Sequence, residues 1–301
     1  MAWHSVVISN PAKLSRHNFS LRIEQEEAAQ VPFEDIAIIV LNHQAISLTH
    51  PVLSACAEYG VGLFSTGENY QPNGVFMPFL PHSRTVKVMR QQMALDKPTA
   101  KRTWTHLVRS KIANQAECLE LASQTGADYL RAMAQKVRSG DPDNIEAQAS
   151  AFYFRTLFGK GFNRASEVRT NAALNYGYAI LRGTIARVLV AHGFLPALGL
   201  HHHSEQNAFN LADDLIEPFR PLVDLFVRLK FQENNKELNP KDKSSLVGLL
   251  HYDLAVDTGN STTLVAIDKC VTSLARVIEQ SNSDLISLPR LISLRVHEDE
   301  S

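Results

Sequence analysis

The stretch Met77-Pro78-Phe79-Leu80-Pro81-His82 divides the chain into two unlike halves. Its two prolines discourage both a helix and a central strand. Before it lie short β-favouring runs: Ser5-Val6-Val7-Ile8, Phe19-Ser20-Leu21-Arg22-Ile23, Ile36-Ala37-Ile38-Ile39-Val40, Gly62 to Ser65 and Val75 to Phe79, punctuated by Asn, Pro and Gly. One helix is predicted among them, capped by Thr49 with Pro51 in its first turn and ending at Gly60. After it, apolar residues recur at three- and four-residue spacing, as in Val86, Met89 and Met93, then Trp104, Leu107 and Val108, which is helical periodicity. Gly140-Asp141-Pro142 predicts the start of a helix through Glu146 and Phe152, with Pro142 in its first turn. Further helices are predicted over about 171–191 and from about Asn207 past Pro221, joined by the apolar connection Phe194 to Leu200, while residues 232–245, QENNKELNPKDKSS, read as an exposed loop. The expected class is therefore α+β: a small β-rich N-terminal domain over 1–80 and a larger all-α domain over 84–301.

The chain has 301 residues, 45% of them hydrophobic, enough to bury a core in each part. No run approaches the eighteen or so apolar residues of a membrane helix, and the start lacks a basic flank followed by an apolar stretch, so no membrane association and a cytoplasmic location are expected. Cys56, Cys118 and Cys270 are odd in number and far apart, which suits reduced core thiols rather than a disulfide framework or zinc knuckle. The formal net charge of −1 conceals a strong asymmetry: −4 over residues 1–83, +9 over 84–204 and −6 over 205–301. A basic middle is what a surface following a phosphate backbone leaves in sequence, although solvated helix faces leave the same pattern.

His201, His202 and His203 end the apolar connection, and Asp213, Asp214 and Glu217 follow on the next predicted helix, where either aspartate can share a face with Glu217. Imidazole mixed with carboxylates points toward manganese or magnesium. A plainer reading also stands: Glu146 suits the macrodipole at a helix start, and the three later acids suit an exposed face. The residues alone leave both open.

The stretch from Leu198 to Pro221, including Gly199-Leu200-His201-His202-His203 and Asp213-Asp214-Leu215-Ile216-Glu217, resembles the signature of the CRISPR-associated protein-one family, the universal spacer-acquisition integrase. It is most similar to members accompanying type II systems. Asn171-Ala172-Ala173-Leu174-Asn175-Tyr176-Gly177-Tyr178 resembles a second hallmark, and Glu146 with its Ala-rich, aromatic helix resembles the first. The resemblance implies Glu146, His202 and Glu217 as catalytic metal ligands for Mg2+ or Mn2+, with Asp214 as a supporting acid. Its metal-binding histidine stands three residues after the glycine, which selects His202, although the triple histidine leaves His201 and His203 as alternative registers.

The implied activity is that of a metal-dependent DNA endonuclease and integrase, joining the 3′-hydroxyl of a short donor DNA to a phosphodiester at the border of a CRISPR repeat. The implied partners are DNA, a second copy of the chain in a homodimer held by the N-terminal domain, and a smaller protein bridging two dimers. Arg84, Lys87, Arg90, Lys101 and Arg102 are candidates for backbone-phosphate contacts, together with the other basic residues of 84–111 and 155–187. Two further readings are a stand-alone metal-dependent nuclease on branched or single-stranded nucleic acid, and a non-catalytic helical DNA-binding regulator.

Overall fold

The strand run Ile36-Ala37-Ile38-Ile39-Val40 has no polar face, as expected of a strand covered on both sides. In the computed structural model, which describes residues 4–79, 82–231, 237–257 and 259–297, it forms β5 (Ile36–Leu41) at the interior of a four-stranded sheet. The order is β1 (His4–Ile8), β5, β7 (Gly62–Thr66), β8 (Pro72–Phe76), with β8 alone antiparallel. A second sheet has the order β4 (Ala28–Pro32), β3 (Ser20–Glu24), β2 (Ala12–His17), β6 (Ile46–Leu48). Strands β2, β4 and β6 carry no strong alternating pattern and were not legible. Helix α1 (His50–Tyr59) has Pro51 in its first turn and ends at Gly60, whose φ of 70° is left-handed.

Alternation along β5 and β7 sends side chains to two cores. Ile39 and Leu63 join Leu14, Leu21, Phe33, Val52 and Cys56 between the sheets and α1. Ile38, Val40 and Phe64 instead join the core of the helical part. The Phe64 ring rests where a Cβ would stand at Gly183, so glycine is what lets sheet and helix touch there. Arg187 Nε also donates to Gly60 O at 2.6 Å, and Ser5 Oγ lies 2.9 Å from His251 Nε2.

The helical part comprises α2 (Thr85–Met93), α3 (Lys97–Leu121), α4 (Ala127–Lys136), α5 (Ile145–Phe158), α6 (Arg169–Ala191), α7 (Asn210–Leu215), α8 (Arg220–Lys230), α9 (Pro240–Gly248) and α10 (Thr263–Gln280). The long helices α3 and α6 supply much of its core. The α+β class holds, with one amendment: this part also contains the hairpin β9 (Asp253–Val256) and β10 (Gly259–Thr262), so it is not all helix. Leu80 and Pro81, in the expected boundary, lie outside the described residues.

Two further expectations need correction, and a helix read from apolar periodicity turns part of that pattern to solvent. Residues 240–248 are helix α9, because Asn239 and Asp242 form a reciprocal cap; of the stretch read as a loop, 232–236 lie outside the described residues. Helix α5 starts only at Ile145, so Pro142 precedes it. Helix α2 exposes Val86 and Met93 and buries Thr85 and Gln92. Gln92 is buried because its amide donates to the carbonyls of Leu195 and Leu198 at 3.0 and 2.9 Å and accepts from Leu195 N. The three cysteines are free and buried, as expected. Among the described residues no helix is long and apolar enough to cross a membrane.

Candidate active site

Helix α3 carries Trp104, Leu107, Val108 and Lys111 at three- and four-residue spacing, so the lysine continues an apolar stripe. Its side chain is only 9% exposed, and its Nζ forms close ion pairs with Glu146 Oε1 and Glu217 Oε2. Two acids 71 residues apart in sequence thus meet on one buried positive charge. Local structure explains how each arrives. Asp141, in a left-handed turn, accepts the backbone N–H groups of Ile145 and Glu146 at 2.9 Å each, starting α5 where Glu146 faces α3. Pro218 removes a backbone donor and converts the segment between α7 and α8 into a 3-10 turn, Glu217–Phe219. Asn114, on α3 close to Lys111, donates to Pro218 O at 2.8 Å and so fixes that turn against the lysine.

Arg220 Nε donates to the other Glu217 oxygen at 2.8 Å while its guanidinium covers the Tyr178 ring at 4.7 Å. Burial by itself raises the Glu217 carboxyl, but Arg220 and Lys111 outweigh it and bring the group down to about 2. Burial likewise opposes the charge on Lys111, and Glu217 and Glu146 overcome it, holding the ammonium above its ordinary value. Glu217 Oε2 is buried, and Lys111 is its charged partner.

Beside this cluster, residues 200–202 wrap around Asp214, which is fully buried. Its Oδ2 accepts from Leu200 N at 2.6 Å and His201 N at 3.1 Å; its Oδ1 accepts from His202 N at 3.2 Å and lies 2.7 Å from His202 Nδ1. A Cβ at Gly199 would lie 2.8 Å from Asp214 Oδ2 and against the His202 carbonyl, so the close wrap needs glycine there. A proton on Nδ1, donated to the carboxylate, leaves Nε2 as the acceptor, the arrangement that suits a ligating imidazole. The bond to Asp214 raises the His202 imidazole above its ordinary value against the effect of burial. His201 stacks on Trp104 with centroids 4.2 Å apart and planes within 1°, and its burial lowers its imidazole. His203 is exposed.

The structure therefore unites Glu146 with Glu217 and places His202 on Asp214, and it sends the three acids of the 213–217 cluster in three directions. Asp213 pairs with Arg182 at 2.6 Å and accepts from Asn207, Asp214 holds the histidine loop, and Glu217 lies past the end of α7 on its own turn. Pro218 ends the regular helix at this point, so the three acids take different partners although all three act on the His202 imidazole. Among the described residues no group of three or more His, Cys, Asp or Glu is arranged to hold a metal. The donor chemistry nevertheless fits a hard divalent cation: two carboxylates, one of them buried, share one positive centre. Lys111, Asn114 and Arg220 were not singled out from sequence, while Asp141 was read only as the start of the Glu146 helix and Trp104 only as part of an apolar stripe; the signal for Lys111 was a charge within that stripe.

Arg84, Lys87, Arg90, Lys101 and Arg102 are all exposed, and Lys87 is paired with Glu279 at 2.9 Å. The wider basic surplus is partly internal: Lys111 lies in the cluster, Arg169 is buried against Asp242, Arg182 holds Asp213, Arg187 binds Gly60 O, and Arg109 donates to Val137 O.

Residues 6–246 match the family described as CRISPR associated protein Cas1. The chain belongs to this Cas1 family. It is 43% identical over the whole of both chains to a CRISPR-associated endonuclease Cas1 of Neisseria meningitidis serogroup C. Among solved structures it is similar to a casposase bound to integration product, with a TM-score of 0.77 at 18% identity over 93% of this chain and 91% of that one. A CAS1 protein from Thermotoga maritima gives 0.73 at 18% identity over 92% and 97%. At such identities these two establish likeness of fold.

Proposed function

We propose that the protein is a CRISPR spacer-acquisition integrase, similar to members accompanying type II systems, whose active site is the cluster of Glu146, Glu217 and His202. The observation that carries the reading is the convergence of Glu146 and Glu217 on one buried cationic position, beside a histidine oriented by Asp214. The family match and the likeness to a casposase bound to integration product support the reaction class. In that reaction the donor 3′-oxygen bonds to phosphorus at the repeat border, its proton leaves, and the phosphorus bond to the target's own 3′-oxygen breaks. One phosphodiester replaces another, so no external energy source is required.

Glu146, Glu217 and His202 would hold Mg2+ or Mn2+, which when bound supplies charge stabilisation at the phosphate oxygens. Arg220 keeps Glu217 ionised at working pH, Asp214 fixes the His202 ring, and Asp141 and Asn114 position the two glutamates. Exposed Arg84, Lys87, Arg90, Lys101 and Arg102 on and beside α2 and α3 suit phosphate contacts that align the DNA without reading bases. A second copy of the chain and a smaller bridging protein complete the proposed assembly, in keeping with fold likeness to the Cas6-RT-Cas1–Cas2 complex.

The test is joining of labelled donor DNA to a plasmid bearing the CRISPR repeat, in Mn2+ or Mg2+, with the partner protein supplied. Joined product is expected from the wild-type chain and none from Glu146→Ala with an unchanged melting profile. Joining in excess chelator would overturn the metal assignment, and cleavage of donor without joining would favour the stand-alone nuclease.

A further inference from the structure

Lysine is seldom buried without partners, and Lys111 has two of them while Leu107, Val108 and Ile112 around its stem are wholly buried. Its ammonium stands on the point that Glu146 and Glu217 share. We propose that Lys111 is a tethered counter-ion that preforms the acidic site and is displaced when a divalent cation takes the two carboxylates. The inference rests on the function proposed above and deepens it.

Charge balance is the first argument. The four ion-paired groups Glu146, Glu217, Lys111 and Arg220 sum to zero, so a divalent ion added without any departure would leave them with an excess of two positive charges, which buried Asp224 near Arg220 offsets only in part. Such an excess is costly where the effective dielectric is low. One cation must withdraw, and geometry selects the lysine. Arg220 is fixed twice, by its bond to Glu217 Oε1 at 2.8 Å and by the Tyr178 ring beneath its guanidinium at 4.7 Å. Lys111 is held at its Nζ by the same two carboxylates the ion would take. A four-carbon stem lets the ammonium swing out while its apolar part stays packed. Glu146 is 26% exposed, so the cluster opens toward solvent on the α5 side, where a displaced ammonium can go.

Two consequences separate this role from ordinary core packing. Without the lysine, two carboxylates repel each other, so the site is less stable in chelator yet more receptive to a cation. Lys111→Met, which keeps the stem, is expected to melt lower than wild type in EDTA, to show a larger Mn2+-induced rise in melting temperature, and to bind Mn2+ at least about tenfold more tightly by calorimetry. In the wild-type protein, saturating Mg2+ is expected to increase acetylation of Lys111 several-fold, read by mass spectrometry against exposed Lys97 and Lys101, and this measurement stands even if Lys111→Met does not fold. Equal or weaker Mn2+ binding by folded Lys111→Met, or Lys111 labelling indifferent to Mg2+ in a protein that binds it, overturns the tethered counter-ion and leaves the metal site standing. Absence of Mn2+ and Mg2+ binding by wild type and variant alike removes the metal site and this inference together.

Discussion

Asp214→Ala is expected to be among the most damaging single substitutions in the protein, although Asp214 touches neither Lys111 nor the two glutamates. The carboxylate is fully buried and accepts four hydrogen bonds, from the backbone N–H groups of Leu200, His201 and His202 and from His202 Nδ1. Hydrogen bonds to a charged group contribute roughly 1.5–3 kcal/mol each, and a buried donor left without a partner costs about 1–3 kcal/mol. The sum overstates the loss, because the amides of exposed His201 and His202 regain water once the loop opens. A net destabilisation on the order of 4 kcal/mol remains, at the upper end for one substitution. For a chain of this size that corresponds to a fall of roughly 6 °C in melting temperature. Asp214→Asn keeps the shape but turns an NH2 group toward donors, so an intermediate fall is expected. Neighbouring Asp213→Ala removes a partly exposed pair with Arg182 and should cost only about 1 kcal/mol. Thermal melting in chelator reads all three, with DNA joining measured on the same preparations. If Asp214→Ala melts within about 1 °C of wild type, or no lower than Asp213→Ala, the wrapped loop is not what orients His202.

His202→Ala should abolish joining, His203→Ala should retain it, and His201→Ala should retain it with a lower melting temperature because the stack on Trp104 is gone; an indispensable His203 would shift the ligand register. Because the folded Glu217 carboxyl lies at about 2 against an ordinary 4.5, its contribution to stability is complete above about pH 4.5 and disappears as pH falls toward 2. Melting of Glu217→Gln should therefore depend less on pH across that window than wild type, and parallel profiles would contradict the buried pairing. DNA affinity should fall steeply with salt, and replacing Arg84, Lys87, Arg90, Lys101 and Arg102 together should flatten the slope by about 0.9 for each phosphate no longer neutralised; an unchanged slope would put the DNA track elsewhere on the helical part.

Local features of sequence carried much of the fold. The apolar run of β5, the Thr49, Pro51 and Gly60 signals around α1 and the apolar periodicity of α3 all act through neighbours a few residues away, so a linear pattern records them. Gly199 and the resemblance around His202 and Glu217 likewise pointed to the region of the candidate site. What the line could not show is where charges go once helices pack. Asp213, Asp214 and Glu217 look alike in sequence, yet one pairs with Arg182, one folds a loop around itself and one meets Lys111, because Pro218 breaks their helix and three different elements lie against the pieces. The apolar spacing of Val86 and Met93 marked α2 as a helix but not which side it buries: both are exposed, since buried Gln92 ties α2 to the carbonyls of Leu195 and Leu198. Lys111 looks like one more basic residue of a DNA-binding stretch. Only the packing of α3 against α5 and the Glu217 turn, which buries the ammonium and brings two carboxylates from 35 and 106 residues further along the chain, makes its charge the centre of the candidate site.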